Sequence, residues 1–249
     1  MGIAIESFKK GFDWIRVEEL YTLFAVVIIL GMIPFISVLS GIVAFFWILP
    51  RAMAHYGLKS RFLNDKIGML VAAIVQSVYL FIAVFLNWRQ KNIMNVQIGI
   101  IAAVVVTIIL AVAIHRAFFV LTAIAFIAGI VVAAYNGLRF SQTSMIYLSS
   151  ETDVSNAMDK SWAITEGKLM SVIGLNLLLG LFGMVAFGVV IIITMAFALV
   201  PVVGPILSAL ASLVLSGLLM SMFYFTSYFA DTNLLISISG KSAKKQEKK

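Results

Sequence analysis

The chain has 249 residues, 62% of them hydrophobic and only 12% Asp, Glu, Lys or Arg, with a mean hydropathy of +1.09. A soluble domain keeps its surface in water with roughly 25% charged residues, so this composition excludes an ordinary soluble fold. The absence of Cys excludes disulfides, thiolate catalysis and thiolate metal sites, and the net charge of +7 reads as membrane orientation and lipid-surface attraction, with no nucleic-acid partner.

Residues 3–19 are expected to form an amphipathic helix. Ile5, Phe8, Phe12 and Ile15 recur at spacings of three and four, and Lys9, Lys10, Asp13 and Arg16 occupy much of the rest. Such a helix lies in the headgroup plane. With charges placed ahead of any apolar run, residues 1–20 are not expected to be a signal peptide.

The first apolar block, 20–49, exceeds the roughly 20 residues that cross a bilayer core about 30 Å thick. Gly31 and Pro34 interrupt it. One tilted, kinked helix is the simplest reading, and a helical hairpin turning at Pro34–Phe35 is the rival. A basic loop follows, with Arg51, Lys59, Arg61 and Lys66.

Further spans are expected at about 67–88, 96–114, 117–138, 172–200 and 206–230. His115 and Arg116 separate two of them and belong in a tight interfacial turn, because charge at the bilayer centre is costly. The longest polar stretch is 139–171. There Ser150 followed by Asp153 resembles a helix start. Val154, Ala157, Met158, Ser161, Trp162 and Thr165 then keep helical spacing, which predicts a second interfacial helix over 153–166. Residues 231–249 read as a basic, disordered tail. The expectation is an all-α, polytopic transmembrane helical bundle of about six spans within 20–230, with amphipathic interfacial helices at 1–19 and 153–166.

With six spans, the N-terminus, the 89–95 loop, the 139–171 segment and the tail share one side, which holds thirteen of the eighteen Lys and Arg. The positive-inside rule makes that side cytoplasmic. A multi-pass cell-membrane protein with both termini cytoplasmic is expected, although the four positives of the 51–66 loop run against the rule.

The sequence holds only two His and no HExxH, carboxylate–histidine cluster or P-loop, so no metal site, cofactor or catalytic residue is assigned. No Asp or Glu is expected inside a span, which counts against proton-coupled transport. The intramembrane polar residues include Gln76, Ser77, Thr107, Asn136, Asn176 and Thr194 and are read mainly as interhelical hydrogen bonders. Gly174, Gly180, Gly183 and Gly188 allow close approach. Ser208, Ser212 and Ser216 fall four apart, and Gly217 and Ser221 continue beside them. These are packing faces, between spans or between protomers. His115, Arg116, Arg139 and Trp162 are the candidate lipid or partner contacts.

Residues Asn156-Ala157-Met158-Asp159-Lys160-Ser161-Trp162-Ala163-Ile164-Thr165-Glu166-Gly167 precede a Leu-rich span. The stretch resembles the A-x-x-x-S-W-x-x-T-x-G segment of a broad prokaryotic group that includes the membrane domain of some glycerophosphodiester phosphodiesterases. Ala157, Ser161, Trp162, Thr165 and Gly167 match it. The resemblance implies about six helices with an interfacial helix before the fifth, and it implies no catalysis, since the phosphodiesterase activity of that group resides in a separate soluble barrel.

Three functions follow in order. The first is a non-enzymatic membrane component that binds membrane lipids or a protein partner, a second copy included. The alternatives are a transporter or channel for a small or apolar solute, and a lipid-modifying enzyme. A water-filled cavity joining Gln76, Thr107 and Asn176 would favour transport, and a lipid groove beside 153–166 the first reading.

Overall fold

The computed structural model describes residues 1–32, 37–61, 65–149 and 152–240. The fold is all-α, and no strand occurs among the described residues. Five helices are long and apolar enough to cross a membrane: Lys66–Leu86 (α5), Lys91–Ala113 (α6), Phe118–Ser149 (α7, Phe118–Arg139, continued by α8, Thr143–Ser149), Leu169–Ala198 (α10) and Gly204–Ile238 (α11). By length and composition this is a multi-pass membrane protein. The chain divides into two compact units, one of 1–69, 148–151 and 167–249, the other of 70–147 and 152–166.

In the first unit, the 20–49 block is not one kinked helix. It forms α2 (Glu19–Met32), then α3 (Ser37–Val43), a π-helical stretch Ala44–Ile48 and α4 (Leu49–His55). Leu20 and Val27 share one buried cluster with Ala44, Ile48 and Ala52. In a continuous helix Val27 and Ala52 would stand about 37 Å apart at 1.5 Å per residue, so the chain reverses as the rival hairpin requires. The turn expected at Pro34–Phe35 lies outside the described residues. The π stretch has a local cause: Pro50 offers no N–H to the Phe46 carbonyl four residues back, and Lys66 Nζ donates to that oxygen instead, at 3.0 Å.

The N-terminal helix α1 spans Gly2–Lys10 and is followed by a 3₁₀ turn, Asp13–Arg16. The expected apolar face is divided: Phe8 and Phe12 are half-buried and meet Phe182 of α10, Ile5 and Ile15 are exposed, and Ala4, Ser7 and Trp14 are buried. Small residues face inward because α1 packs hard against two long helices. A Cβ on Gly174 of α10 would come within 3.0 Å of Ala4, and Ser7 Oγ donates to Asn233 of α11 at 3.1 Å. Trp14 donates to Thr226 at 3.3 Å and stacks with Phe24 and Phe225. The hairpin returns to the same end, where the Tyr56 hydroxyl donates to the Lys10 carbonyl at 2.9 Å and lies 3.1 Å from Asp13. Burial, then the Asp13 charge and hydrogen bond, hold this phenol above its ordinary pKa.

Helix α11 runs eight residues past the expected end of its span and carries Asp231 within it. This corrects the expectation that a disordered tail begins at 231: the helix continues to Ile238. Asp231 stands about 40 Å along the axis from Gly204, beyond the reach of a 30 Å core entered at that residue. Residues 241–249 lie outside the described residues. Gly217 of α11 lies close on Gly31 of α2: a Cβ at residue 31 would stand 3.0 Å from Gly217 Cα. Of the expected packing residues, Gly180 and Ser212 are exposed, Ser208 is half-buried, Ser216 bonds its own helix at Leu213, and Gly183 meets Phe223 at ordinary contact distance. The serine stripe is therefore not the packing seam within the unit; Gly217 and Ser221 beside it are buried.

In the second unit, α6 and α7 form an antiparallel pair joined at 114–117. Thr122 donates to Thr107 across it at 2.9 Å. Helix α9 (Val154–Thr165) packs its small face inward, with Ala157, Ser161 and Thr165 fully buried. Its N-cap is Asp153, which accepts from the Asn156 N–H at 2.7 Å; the Ser150 of the expected start lies outside the described residues. α9 docks on the end of α7.

Candidate functional site

Three buried amides of the second unit collect where α5 and α7 end and α6 begins. Asn87 Nδ2 donates to Asn136 Oδ1 at 2.9 Å, Asn136 Nδ2 donates to the Val84 carbonyl at 2.9 Å, and Gln97 Nε2 donates to the same carbonyl at 2.8 Å. All three side chains are buried. The Val84 carbonyl is a last-turn oxygen of α5 with no partner in its own helix, so two side-chain amides finish that end. Asn87, at φ +39, turns the chain toward α6, a conformation that Asn tolerates better than most residues.

The matching end of α7 is held by α9. Ser161 Oγ and Thr165 Oγ1 donate to the Arg139 carbonyl at 2.9 and 3.2 Å. The Arg139 guanidinium stacks on Trp162 at 4.4 Å and stands 6.0 Å from the Tyr135 ring. A cation in the last turn also suits the negative end of the helix dipole. Four of the five residues of the quoted motif thus work together: Ala157 permits close docking, Ser161 and Thr165 cap α7, and Trp162 covers its arginine. Gly167, at φ +70, turns the chain out of α9 in a backbone region that side chains disfavour. On the exposed rim Arg89 pairs bidentately with Asp159 and also donates to Ser155; such surface pairs add little.

Beside this polar knot an apolar groove of about 650 Å³ runs along the α6–α7 pair. Its α6 wall is Gln97, Ile100, Ile101, Val104 and Val105, a stripe at helical spacing. Its α7 wall is hollowed by Gly129, Ala133 and Ala134, with Phe126 and Ile130 beside them. Val84 and Phe85 close the polar end. The volume falls in the roughly 300–1,000 Å³ range of sites that hold small ligands.

The other expected residues do not join a site. Gln76 bonds Ser144 of α8, Thr107 bonds the Ala103 carbonyl and Thr122, and Asn176 is exposed and bonds Val172 of its own helix. Each has a local partner, as interhelical or same-helix bonding predicts. Thr194 likewise bonds its own helix. His115 and Arg116 are exposed at the α6–α7 turn and border an open concavity with Phe119. His115 Nδ1 accepts from the Ala117 N–H at 3.1 Å, which pins the turn. Sequence reasoning missed Asn87 and Gln97; a lone amide at the rim of a span carries no periodic signal. Among the described residues no three His, Asp or Glu side chains gather as metal ligands would. Comparison with protein-family models, with curated proteins and with solved structures finds no match for this chain.

Proposed function

We propose that this protein is a non-enzymatic component of the cell membrane that binds the acyl chain of a membrane lipid along α6 and α7. The observation that carries the reading is the α6–α7 groove: apolar along its length, hollowed by Gly129, Ala133 and Ala134, and closed at one end by Val84 and Phe85 beside the buried Gln97. In a chain of this hydropathy the medium around such a groove is hydrocarbon. The transport alternative has less support, because Thr107 and Gln76 are each engaged locally. The likeness of the α9 motif to the glycerophosphodiester phosphodiesterase membrane-domain group is proposed as kinship of architecture and carries no activity.

Both termini are proposed to be cytoplasmic. In the first unit α1, the start of α10 and the end of α11 lie together, which supports one side for Lys9, Lys10, Arg16 and Lys168. The returning hairpin brings Arg51 there too, near the Tyr56–Lys10 contact, and so removes the exception that this loop posed to the positive-inside rule. Five long helices follow the hairpin, an odd number, so termini on one side require that one of them not cross completely.

Filling the groove tests the function. Ala133→Phe should leave helicity and thermal stability within about 1 kcal/mol of wild type, since the side chain enters open space. It should also reduce the lipid that stays bound to gently purified protein, counted by native mass spectrometry. Unchanged lipid retention in this variant would sink the proposal.

A further inference from the structure

Independently of the α6–α7 groove, we infer that the returning arm of the first-unit hairpin carries a headgroup site, where Arg51 and Lys66 hold the phosphate of an anionic membrane lipid beside Trp47. The π-helical stretch draws two cations to one spot. Lys66 Nζ donates to the Phe46 carbonyl and the Arg51 guanidinium to the Trp47 carbonyl, each at 3.0 Å. Lys66 also stands 5.5 Å over the Trp47 ring. The two cations are close enough to repel each other. Among the described residues no acid pairs with Arg51. Asp65, next to Lys66, turns its carboxylate to the Gly68 N–H at 2.7 Å.

Two like charges held together gain most from an anion shared between them. Arg51 is exposed. Its guanidinium carries five N–H donors and spends one on the Trp47 carbonyl, so a phosphate can reach its fork. The surroundings select a lipid as the source of that phosphate. Leu39, Ile42 and Trp47 are exposed on the same arm, at spacings of three and five, the longer step crossing the wider π turn. This apolar strip for an acyl chain leads to the cations, and Trp is suited to the headgroup level. Arg51 also lies on the side proposed to be cytoplasmic, where the leaflet carries anionic lipid. Phosphatidylcholine fits less well, because its trimethylammonium offsets its own phosphate.

The experiment uses the full chain in nanodiscs of equal parts phosphatidylglycerol and phosphatidylcholine with the same acyl chains. Native mass spectrometry reads which lipid stays bound. Wild type should retain phosphatidylglycerol about tenfold over phosphatidylcholine, the ratio that one hydrogen bond to a charged group supplies. Arg51→Gln should bring the ratio near one, and Arg51→Met, which also leaves an apolar stem, should do the same. Lys9→Gln removes an equal charge from an exposed position and should leave the preference intact. Inorganic phosphate added at constant ionic strength should also leave it intact. A wild-type ratio near one would overturn the inference, as would a preference that survives in Arg51→Gln. An equal loss in Lys9→Gln would overturn it in favour of net charge, and a loss to inorganic phosphate in favour of a free anion. Ala133→Phe, which tests the groove, should leave the ratio unchanged whether or not it lowers total retention, so the two sites fail separately.

Discussion

Gly217→Val is expected to be the most damaging single change in the first unit, lowering the unfolding midpoint in detergent by about 10 °C or preventing recovery of folded protein. A Cβ at this position would stand 2.6 Å from the Ile28 carbonyl oxygen, 2.7 Å from Met32 Cγ and 3.0 Å from the Met32 nitrogen. Two of those three neighbours are backbone, so no side chain can swing aside to make room. Overpacking a rigid core typically costs 1–3 kcal/mol, and a backbone clash on this scale lies at the top of that range or above it. Separating α2 from α11 also opens the cluster that Leu20, Val27, Phe225 and Phe229 share with the returning arm. Gly188→Ala is the control. Nothing lies within 4 Å of a Cβ there, and the exchange should be neutral or stabilising by up to about 1 kcal/mol through helix propensity. Equal midpoints for the two variants, read by thermal unfolding, would refute the α2–α11 contact.

The second large effect is expected where α9 caps α7. Ser161→Ala combined with Thr165→Val removes both donors to the Arg139 carbonyl, and a buried acceptor left without a partner costs about 1–3 kcal/mol. Trp162→Ala adds the loss of the ring under the guanidinium and of contacts with Phe140 and Tyr135. Together these changes should release α9 and expose Arg139, which is 6% exposed in the folded protein. Limited trypsin digestion reads this directly, with rapid cleavage after Arg139 in the triple variant and slow cleavage in wild type. Trp162→Phe should stay close to wild type, because a ring remains. Identical cleavage of wild type and triple variant would mean that α9 does not protect the end of α7.

The helices themselves were largely legible in the sequence because long apolar runs leave a backbone no other way to satisfy its hydrogen bonds in hydrocarbon. The limits of α6, α7 and α10 fall within a few residues of the expected spans. The 20–49 block was harder. Composition cannot distinguish a kinked helix from a hairpin, and the decision rests on Leu20 and Val27 sharing one buried cluster with Ala44, Ile48 and Ala52, residues remote in sequence. The N-terminal helix carries more than its periodicity shows: Phe8 and Phe12 meet Phe182 of α10 and Ile5 and Ile15 stay exposed, while the small residues Ala4 and Ser7 make the close approach.

The α9 motif shows the opposite case. Its spacing announced a helix over 153–166, and the structure supplies the partner of that helix, the last turn of α7. The groove was invisible beforehand. It depends on Gly129, Ala133 and Ala134 standing opposite Ile101, Val104 and Val105, a register that α6 and α7 set only when they pair. Gln97 gains meaning from the same pairing. In the sequence it is one amide near the start of a span, and in the fold it is, among the described residues, the one polar side chain lining that groove.

The most direct measurement is crosslinking in native membranes with a fatty acid that carries a photoactivatable diazirine on its chain and is incorporated into cellular lipid, followed by mapping of the labelled peptides. The expected result is labelling concentrated on Val104, Val105 and Ala133, and strongly reduced there in Ala133→Phe. Labelling spread evenly over outward faces such as Ile192, Val214 and Ile108, with no excess in the groove, would contradict a lipid site between α6 and α7.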